Sequence, residues 1–344
     1  MKLNQVVSII LLTTIVSCAP TSNATETYSF PTPTTITPTR FPTSNLQITY
    51  AQLKEYKNFT EFYAIDVTCI STNEICFSEP KLLFQSLKPL ETNRTLPESY
   101  ITDFDWAPDG IRIVLESAGD ILIGDINTQE WLNITNTAEA DHAPKWSTDG
   151  KSIYYIACQE DSTGMCTPQL IRYELKSKQK VRLLQAWTSS FTSNYAVSPD
   201  GKKVIFSASN RSSLYEVLYI TNWDGTDSRQ ITTLDANETI YSFSLDGLKI
   251  VFQRSTSLIS PDSKEVSDIF VNDLNSGEEK NLTENFDKLV SSPSFSPDEK
   301  WVIFHAFEGN GDINVYLVSV DTGKTFQITE DGDSGFPAWR QIAN

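Results

Sequence analysis

The stretch Ser198-Pro199-Asp200-Gly201-Lys202-Lys203-Val204-Ile205-Phe206 decides the fold, because it is the clearest copy of a unit that recurs along the chain. Four other stretches repeat the same order of turn residues followed by an apolar run, and they begin at Ala107, Ser147, Ser244 and Ser296. The starts of successive copies lie 40 to 52 residues apart. Self-similarity at this period indicates an array of supersecondary units.

The turn residues of each copy have a physical role. Ser or Ala opens the turn, Pro fixes φ, Asp accepts hydrogen bonds from nearby amides, and Gly tolerates a positive φ. We therefore predict a structural role for Asp109, Gly110, Asp149, Gly150, Asp200, Gly201, Asp246, Gly247 and Asp298.

Each unit contains four apolar runs of strand length. One precedes the turn, one follows it, a third comes later (Val217-Leu218-Tyr219-Ile220 in the central copy), and the fourth ends in Ile-Thr or Leu-Thr, with Leu183-Leu184 as a variant. Four strands joined by turns, with no long helical pattern between them, predict an antiparallel meander.

A four-stranded sheet of this size cannot cover both of its faces, so the sheets must stack on one another, and radial stacking leaves few exposed edges. Five units run from about Ile101 to Thr329. The tail 336–340 looks like the first strand of a sixth unit, and residues 46–50, 62–67 and 81–84 supply its other three strands. The prediction is an all-β fold: a six-bladed β-propeller over residues 46–344, closed by pairing of the C-terminal strand with N-terminal strands.

The Ser-Pro-Asp-Gly-Lys-x-Ile-x-Phe units, with their later Asp-Ile and Leu-Thr strands, resemble the WD40-like (PD40) repeats of TolB-type propellers. The resemblance covers about 300 residues and implies the propeller fold. It does not imply one function, because such repeats occur in envelope scaffolds and in the non-catalytic propellers of prolyl-oligopeptidase-like peptidases. The 45 residues before the predicted propeller are too few for the N-terminal α/β domain of TolB.

Residues 1–17 have the layout of a signal peptide, with Lys2 before an apolar run from Val6 to Val16. Ile15-Val16-Ser17-Cys18 resembles a bacterial lipobox, which implies lipid attachment at Cys18. The alternative is an ordinary secretory signal in which Cys18 is incidental. The expected location is the cell envelope: the outer membrane or periplasm if there are two membranes, or the outer face of the cell membrane if there is one.

Residues 18–45 are rich in Thr and Pro and contain no core-forming pattern. We expect an extended, lipidated tether, which at ~3 Å per residue reaches roughly 80 Å from the membrane. The sequence leaves O-glycosylation of the threonines open.

Four further cysteines form two pairs that are close in sequence, Cys69 with Cys76 and Cys158 with Cys166. An exported chain meets an oxidising compartment, so two local disulfides are predicted, with free thiols as the alternative. Neither pair has the Cys-x-x-Cys spacing of a metal site, and no histidine is close to either.

The formal net charge of −17 becomes −18 once residues 1–17 are removed, which argues against a nucleic-acid partner. Segments entering the innermost strands carry a polar residue in each unit, and together they predict a binding ring at a channel mouth: Asp103, Asp141, Asn194, Glu238, Asp287 and Asp333. Such a ring would bind a cation or a basic peptide end. The alternative is that an acidic protein places acids in every loop.

No catalytic set emerges from the sequence. Gly332-Asp333-Ser334-Gly335 copies a protease nucleophile motif, but the two histidines, His142 and His305, both lie inside propeller repeats. Gly309 to Asn314 offers oxygen ligands for calcium, although a glycine-rich turn explains this stretch as well. No cofactor is predicted, with calcium left open.

These observations favour a monomeric, lipid-anchored envelope protein whose propeller is a non-catalytic scaffold for another envelope protein. Two alternatives stay open: an enzyme that processes envelope glycans or peptides with acids such as Asp103 and Asp141, and a sensor of calcium or a small ligand.

Overall fold

The computed structural model describes residues 46–52, 60–70, 75–85, 103–136, 140–160, 166–187, 191, 194–209, 215–232, 236–255, 267–309 and 311–341. The predicted signal peptide, Cys18 and the tether lie outside the described residues and stay predictions. No helix that could cross a bilayer occurs within the described ranges.

The described chain folds into twenty-five β-strands. In chain order these are β1 Leu46–Gln52, β2 Glu61–Ile70, β3 Ile75–Phe77, β4 Lys81–Gln85, β5 Phe104–Trp106, β6 Arg112–Ser117, β7 Asp120–Asp125, β8 Trp131–Asn133, β9 Asp141–Trp146, β10 Ser152–Glu160, β11 Cys166–Glu174, β12 Lys180–Arg182, β13 Tyr195–Val197, β14 Lys203–Ser209, β15 Glu216–Asn222, β16 Arg229–Gln230, β17 Asn237–Phe243, β18 Lys249–Ser255, β19 Ser267–Asp273, β20 Glu279–Asn281, β21 Leu289–Phe295, β22 Trp301–Phe307, β23 Ile313–Ser319, β24 Thr325–Gln327 and β25 Ser334–Gln341.

Strands β5 to β24 form five blades of four consecutive antiparallel strands, numbered here blade 1 (β5–β8) to blade 5 (β21–β24). A sixth sheet, the closing blade, joins the two ends of the chain in the order β25-β1-β2-β3. The predicted six-bladed propeller and its closure by the C-terminal strand are confirmed.

The closing blade differs from the expected four strands in its outer part. Strand β4, the predicted fourth strand, pairs with the first half of β2, whereas β3 pairs with the second half. The β2–β3 hairpin places Cys69 directly opposite Cys76 in register. On β10 and β11, Cys158 pairs with Pro168 and Cys166 pairs with Glu160, so these cysteines lie two positions apart on adjacent strands.

The core lies between neighbouring blades, as stacking requires. Val114 and Ile121 of blade 1 pack with Ile153 and Tyr155 of blade 2, and corresponding clusters fill the other interfaces. Alternating residues of each strand face the two sides of its sheet, so both sides of a blade bury apolar residues against a neighbour.

The repeated turns make the contacts that their composition predicts. Asp200 Oδ1 accepts hydrogen bonds from the Lys202 amide at 3.0 Å and from the Ser198 hydroxyl at 2.7 Å. Gly201 has a φ of +70°, which an L residue rarely adopts. In blade 5 Glu299 takes the glycine position with a φ of +61°, and it also accepts a hydrogen bond from the Asp246 amide of the blade 4 turn at 3.0 Å.

The Ile-Thr and Leu-Thr residues that follow the fourth strand of a blade form hydrogen bonds with its third strand. In four blades the threonine Oγ1 accepts a hydrogen bond of 2.9 to 3.0 Å from an amide of the third strand; these threonines are Thr135, Thr232, Thr283 and Thr329. The threonine hydroxyl therefore satisfies a buried backbone donor just past the end of the outer strand.

Two buried side chains of blade 5 and the closing blade hold the ring shut. Arg340 donates from Nε to the Gly110 carbonyl and from Nη1 to Gln47 Oε1, each at 2.8 Å, and its guanidinium stacks over the Trp106 ring. His305 Nδ1 accepts a hydrogen bond from the Phe336 amide at 3.3 Å. Burial lowers the pKa of His305 to about 4, so the imidazole is neutral at neutral pH and Nδ1 can accept this hydrogen bond.

The turn contacts predict the effect of Asp200→Ala. This change removes the acceptor for the Lys202 amide and the Ser198 hydroxyl, and we expect the free energy of unfolding in urea to fall by about 1–2 kcal/mol. Asp227→Asn is the control, since it tolerates the positive φ of this position and removes an exposed carboxylate whose 3.5 Å ion pair with Lys203 contributes little. Equal stability of the two variants would refute a structural role for Asp200.

Candidate functional site: the central cavity

The innermost strands of the six blades enclose a central cavity of about 980 Å³. Strands β5, β9, β13, β17, β21 and β25 contribute its walls. The lining also includes residues of the turns that follow these strands, among them Pro108, Thr148, Pro199 and Pro297. The cavity therefore extends to the face of the propeller that carries the repeated turns.

Bulges shape this cavity. Register shifts interrupt the pairing of β9, β17, β21 and β25 with their neighbours. Three residues at these bulges have positive φ angles of 50° to 54°, and each is followed by a proline: Ala143, Ser292 and Phe336. A bulge re-aims the side chains beside it, and left-handed backbone at a non-glycine residue costs on the order of 1–3 kcal/mol.

Two tyrosines of adjacent blades support the bulges. Tyr195 donates its hydroxyl to the Ala143 carbonyl at 2.8 Å, which joins blade 3 to blade 2. The Tyr241 hydroxyl lies 2.9 Å from Ser291 Oγ, which joins blade 4 to blade 5. Burial raises the pKa of both phenols, so both stay protonated at neutral pH. The strained backbone is thus held by hydrogen bonds across blade interfaces.

Three charged residues, here called the cavity floor, lie on β9 and at the start of blade 1: Asp103, Asp105 and Lys145. Phe104 and Trp106 of β5 are buried in the blade core, so the alternating Asp103 and Asp105 face the other way. Lys145 Nζ lies 3.1 Å from Asp103 Oδ1. Both side chains keep about a third of their surface accessible, 37% for Lys145 and 33% for Asp103, because the cavity admits water.

The electrostatics of the floor are asymmetric. Burial alone lowers the pKa of Lys145, but Asp103 and Asp105 outweigh it and the pKa lies above its usual value. Burial raises the pKa of Asp105 to about 6, against the opposing charge of Lys145 and a 2.7 Å hydrogen bond from the Trp146 amide. Asp103 adds to the rise as a like charge. Lys145 therefore stays charged, and Asp105 is only partly compensated.

The structure distributes the six predicted ring residues over different environments. Asp103 and Asn194 line the cavity, and the other four lie outside its lining. Asp141 and Glu238 are buried, Asp287 is exposed, and Asp333 is half-buried. Asp105 and Lys145 are functional candidates that the sequence analysis missed.

Glu238 has its partners within blade 4. It accepts a hydrogen bond from Thr232 and pairs with Arg254, whose Nη2 is 2.6 Å from Glu238 Oε1. Arg254 also pairs with Glu279 at 2.8 Å and stacks over the Phe270 ring. Glu238 is 0% exposed and Arg254 is 4% exposed. Burial raises the pKa of Glu238, whereas Thr232 and Arg254 act to lower it. We call Glu238, Arg254 and Glu279 the Glu238 triad, and its contacts lie within blade 4, which indicates a structural role.

The protease-like motif and the calcium stretch were the two other candidate motifs. Ser334 of the protease-like motif donates to both oxygens of Asp331 at 2.8 Å. The described residues contain no cluster of three or more His, Cys, Asp or Glu side chains that could hold a metal ion. Asn310 of the calcium stretch lies outside the described residues, and calcium binding stays a prediction.

The fold of this chain is similar to that of TolB-like repeat propellers. Among solved structures, TolB from Acinetobacter baumannii superposes with a TM-score of 0.65 at 23% identity, covering 86% of this chain and 66% of that one. The putative TolB from Agrobacterium tumefaciens gives a TM-score of 0.55 at 15% identity, covering 87% and 99%. This chain spans just under two thirds of the first of these proteins.

The sequence comparison adds one distant relative. An uncharacterized protein of Agrobacterium fabrum is 24% identical over 220 residues, which are 64% of this chain and 67% of that protein. No protein-family model matches the sequence. At these identities the similarity establishes the fold.

The buried triad predicts the outcome of Arg254→Met. This change leaves Glu238 buried without its cation, and we expect a loss of about 3–5 kcal/mol in unfolding free energy at neutral pH. The loss shrinks as the pH falls, because the folded state then takes up a proton at Glu238 more readily than the unfolded state does. Urea unfolding measured across this pH range checks the direction.

The matched control is the double variant Glu238→Gln with Arg254→Met. It has no unpaired buried charge, so most of the lost stability returns at neutral pH. A double variant as unstable as Arg254→Met, with no recovery in acid, would contradict the assignment.

Proposed function

We propose that this chain is a lipid-anchored envelope protein whose propeller binds a protein partner through the central cavity, without catalysis. The observation that carries the proposal is the cavity itself. Its volume of about 980 Å³ lies at the upper end of the range for ligand sites, and it reaches the turn face of the propeller.

The walls of the cavity are suited to a peptide segment. Apolar residues such as Phe336 and Pro337 share the lining with polar groups such as Asn194 and Ser291. Around the opening, two turn aspartates pair with lysines, Asp149 with Lys151 at 3.2 Å and Asp200 with Lys202 at 3.6 Å. Apolar surface supplies affinity, and a few fixed charges and amides supply orientation and specificity.

Export is supported by the signal-peptide pattern and by the cysteines. The strand register supports local pairing, because Cys69 lies opposite Cys76, and Cys158 and Cys166 lie two positions apart on adjacent strands. We infer the local pairs Cys69–Cys76 and Cys158–Cys166, which would brace two outer hairpins in an oxidising compartment.

Capture from envelope extract tests the partner. The bait is the chain from residue 18 to 344 carrying Cys18→Ala, which removes the lipid site. We expect one stoichiometric protein, and we expect it to be lost when Asn194→Trp fills the cavity. Asn127→Trp is the matched control, since Asn127 is exposed on an outer turn of blade 1.

The outcomes separate the alternatives. Retention of the partner by Asn194→Trp would place the contact outside the cavity, and recovery of nothing specific would refute the protein-partner proposal. Washing in calcium and in EDTA shows whether a metal ion takes part.

Mass spectrometry of the mature N-terminus tests the anchor. We expect the first residue to be Cys18 with a diacylglyceryl mass increment, because cleavage at a lipobox follows lipid attachment. Cys18→Ala removes the modified peptide. An unmodified thiol at Cys18, or cleavage at another bond, would rule out the lipoprotein assignment.

A further inference from the structure

The charged side chains along the cavity differ between its opening and its floor. At the opening the turn aspartates of the cavity lining have cations beside them, Asp149 with Lys151 at 3.2 Å and Asp200 with Lys202 at 3.6 Å, and Glu174 pairs with Arg172 at 3.1 Å. The floor has two carboxylates, Asp103 and Asp105, and one lysine. The floor therefore carries one negative charge more than its own cation can neutralise.

The single floor lysine is committed to Asp103. Their ion pair is 3.1 Å long, whereas Asp105 is held by the Trp146 amide and its carboxylate lacks a cation at contact distance among the described residues. The remaining groups that face Asp105 are Asp103, which directly precedes β5, Lys145 on β9 and the Tyr195 phenol on β13. Neither the phenol nor the like-charged Asp103 can neutralise it.

A second, independent feature lies beside the floor. Trp146 lines the same cavity and is 8% exposed, yet its Nε1–H has no acceptor within the described part of the chain. The equivalent indoles of blade 1 and the closing blade have acceptors: Trp106 donates to Thr49 at 2.8 Å and Trp339 to the Ser294 carbonyl at 3.2 Å. A buried donor without a partner leaves a hydrogen bond for a ligand oxygen to complete.

We propose that the cavity floor binds one organic cation, the guanidinium or ammonium of a basic side chain on the partner protein. The inference rests on the proposed function and names the chemistry of its ligand. A basic side chain supplies the missing charge, and the backbone that carries it supplies carbonyl oxygens as acceptors for donors of the cavity wall.

The dimensions of blade 1 fit this ligand. Asp105 is two residues from Ala107, where the turn begins, so the carboxylate lies about 7 Å below the opening. A long basic side chain spans this depth while its backbone stays near the turns. The half-buried Tyr241 lines the path, and phenol rings attract cations. The net charge of −17 also draws cations toward the protein.

Calorimetric titration with two small probes tests the inference. Acetyl-arginine amide and acetyl-citrulline amide have nearly the same shape, but only the first carries a charge. On the chain from 18 to 344 with Cys18→Ala, we expect the arginine probe to bind at least about tenfold more tightly. Asp105→Asn keeps the acceptor for the Trp146 amide and removes the charge, so this preference is lost.

Two controls make the result specific to the floor. Asp227→Asn removes the same charge from an exposed site outside the cavity lining and leaves the preference intact. Lowering the pH from about 7.5 to about 5 protonates Asp105, whose pKa of about 6 lies between, and weakens arginine binding about tenfold in the wild type but not in Asp105→Asn.

Equal affinity for the two probes, binding of neither, or an arginine preference that survives Asp105→Asn would each overturn the inference. These results are distinct from failure of the proposed function. If the chain captures a partner protein through the cavity but shows no arginine preference, the proposed function is supported and the cation site is refuted. An arginine preference without any captured protein keeps the cation site and removes the protein partner.

Discussion

The pairing of the last strand with the first is the constraint on which the rest of the structure depends. Gln341 pairs with Leu46 and Ser334 with Gln52, so two segments almost 300 residues apart complete one sheet. Closing a chain of that length costs about 5 kcal/mol in loop entropy, which is modest beside the apolar surface that the closing blade buries on both sides. Without β25, the core clusters against blade 1 and blade 5 would lose Phe336, Ala338 and Trp339, and the cavity would lack one wall.

Closure also explains why the cavity walls tolerate strain. Phe336 has a positive φ in the strand that completes the ring, and its amide is held by His305 of blade 5. Ala143 is held in the same way by Tyr195 of blade 3. Both of these bulges are therefore stabilised by a hydrogen bond with a side chain of an adjacent blade, so packing between blades helps to maintain the strained backbone.

The sequence predicts the blades better than the cavity, and the bulges are the reason. The turn unit is local, so its composition determines its geometry, and closure follows from counting strands. The ring of polar residues is predicted from the segments that enter the innermost strands, and this reasoning takes no account of bulges. In blade 4 a register shift lies between Glu238 and Phe243, and in blade 2 one lies between Asp141 and Trp146. A shift of one residue turns a side chain to the opposite face, and these two acids are buried within their blades. The pairing of β5 with β6 has no such shift, and there the alternation with Phe104 and Trp106 is enough to predict that Asp105 faces the cavity.

Two desolvated carboxylates, the fully buried Glu238 and the half-buried Asp105, show how the same physical cost leads to different roles. Burial raises the pKa of each. Glu238 recovers the cost inside its own blade, because Arg254 and Thr232 supply a charge and a hydrogen bond. Asp105 accepts a hydrogen bond from the Trp146 amide, but Lys145 forms its ion pair with Asp103. The protein therefore offsets only part of the desolvation free energy of Asp105. A ligand gains binding energy only where the unliganded protein has unsatisfied groups. That condition holds at the cavity floor and not at the Glu238 triad. For this reason we propose the floor, and not the triad, as the site that binds a basic side chain.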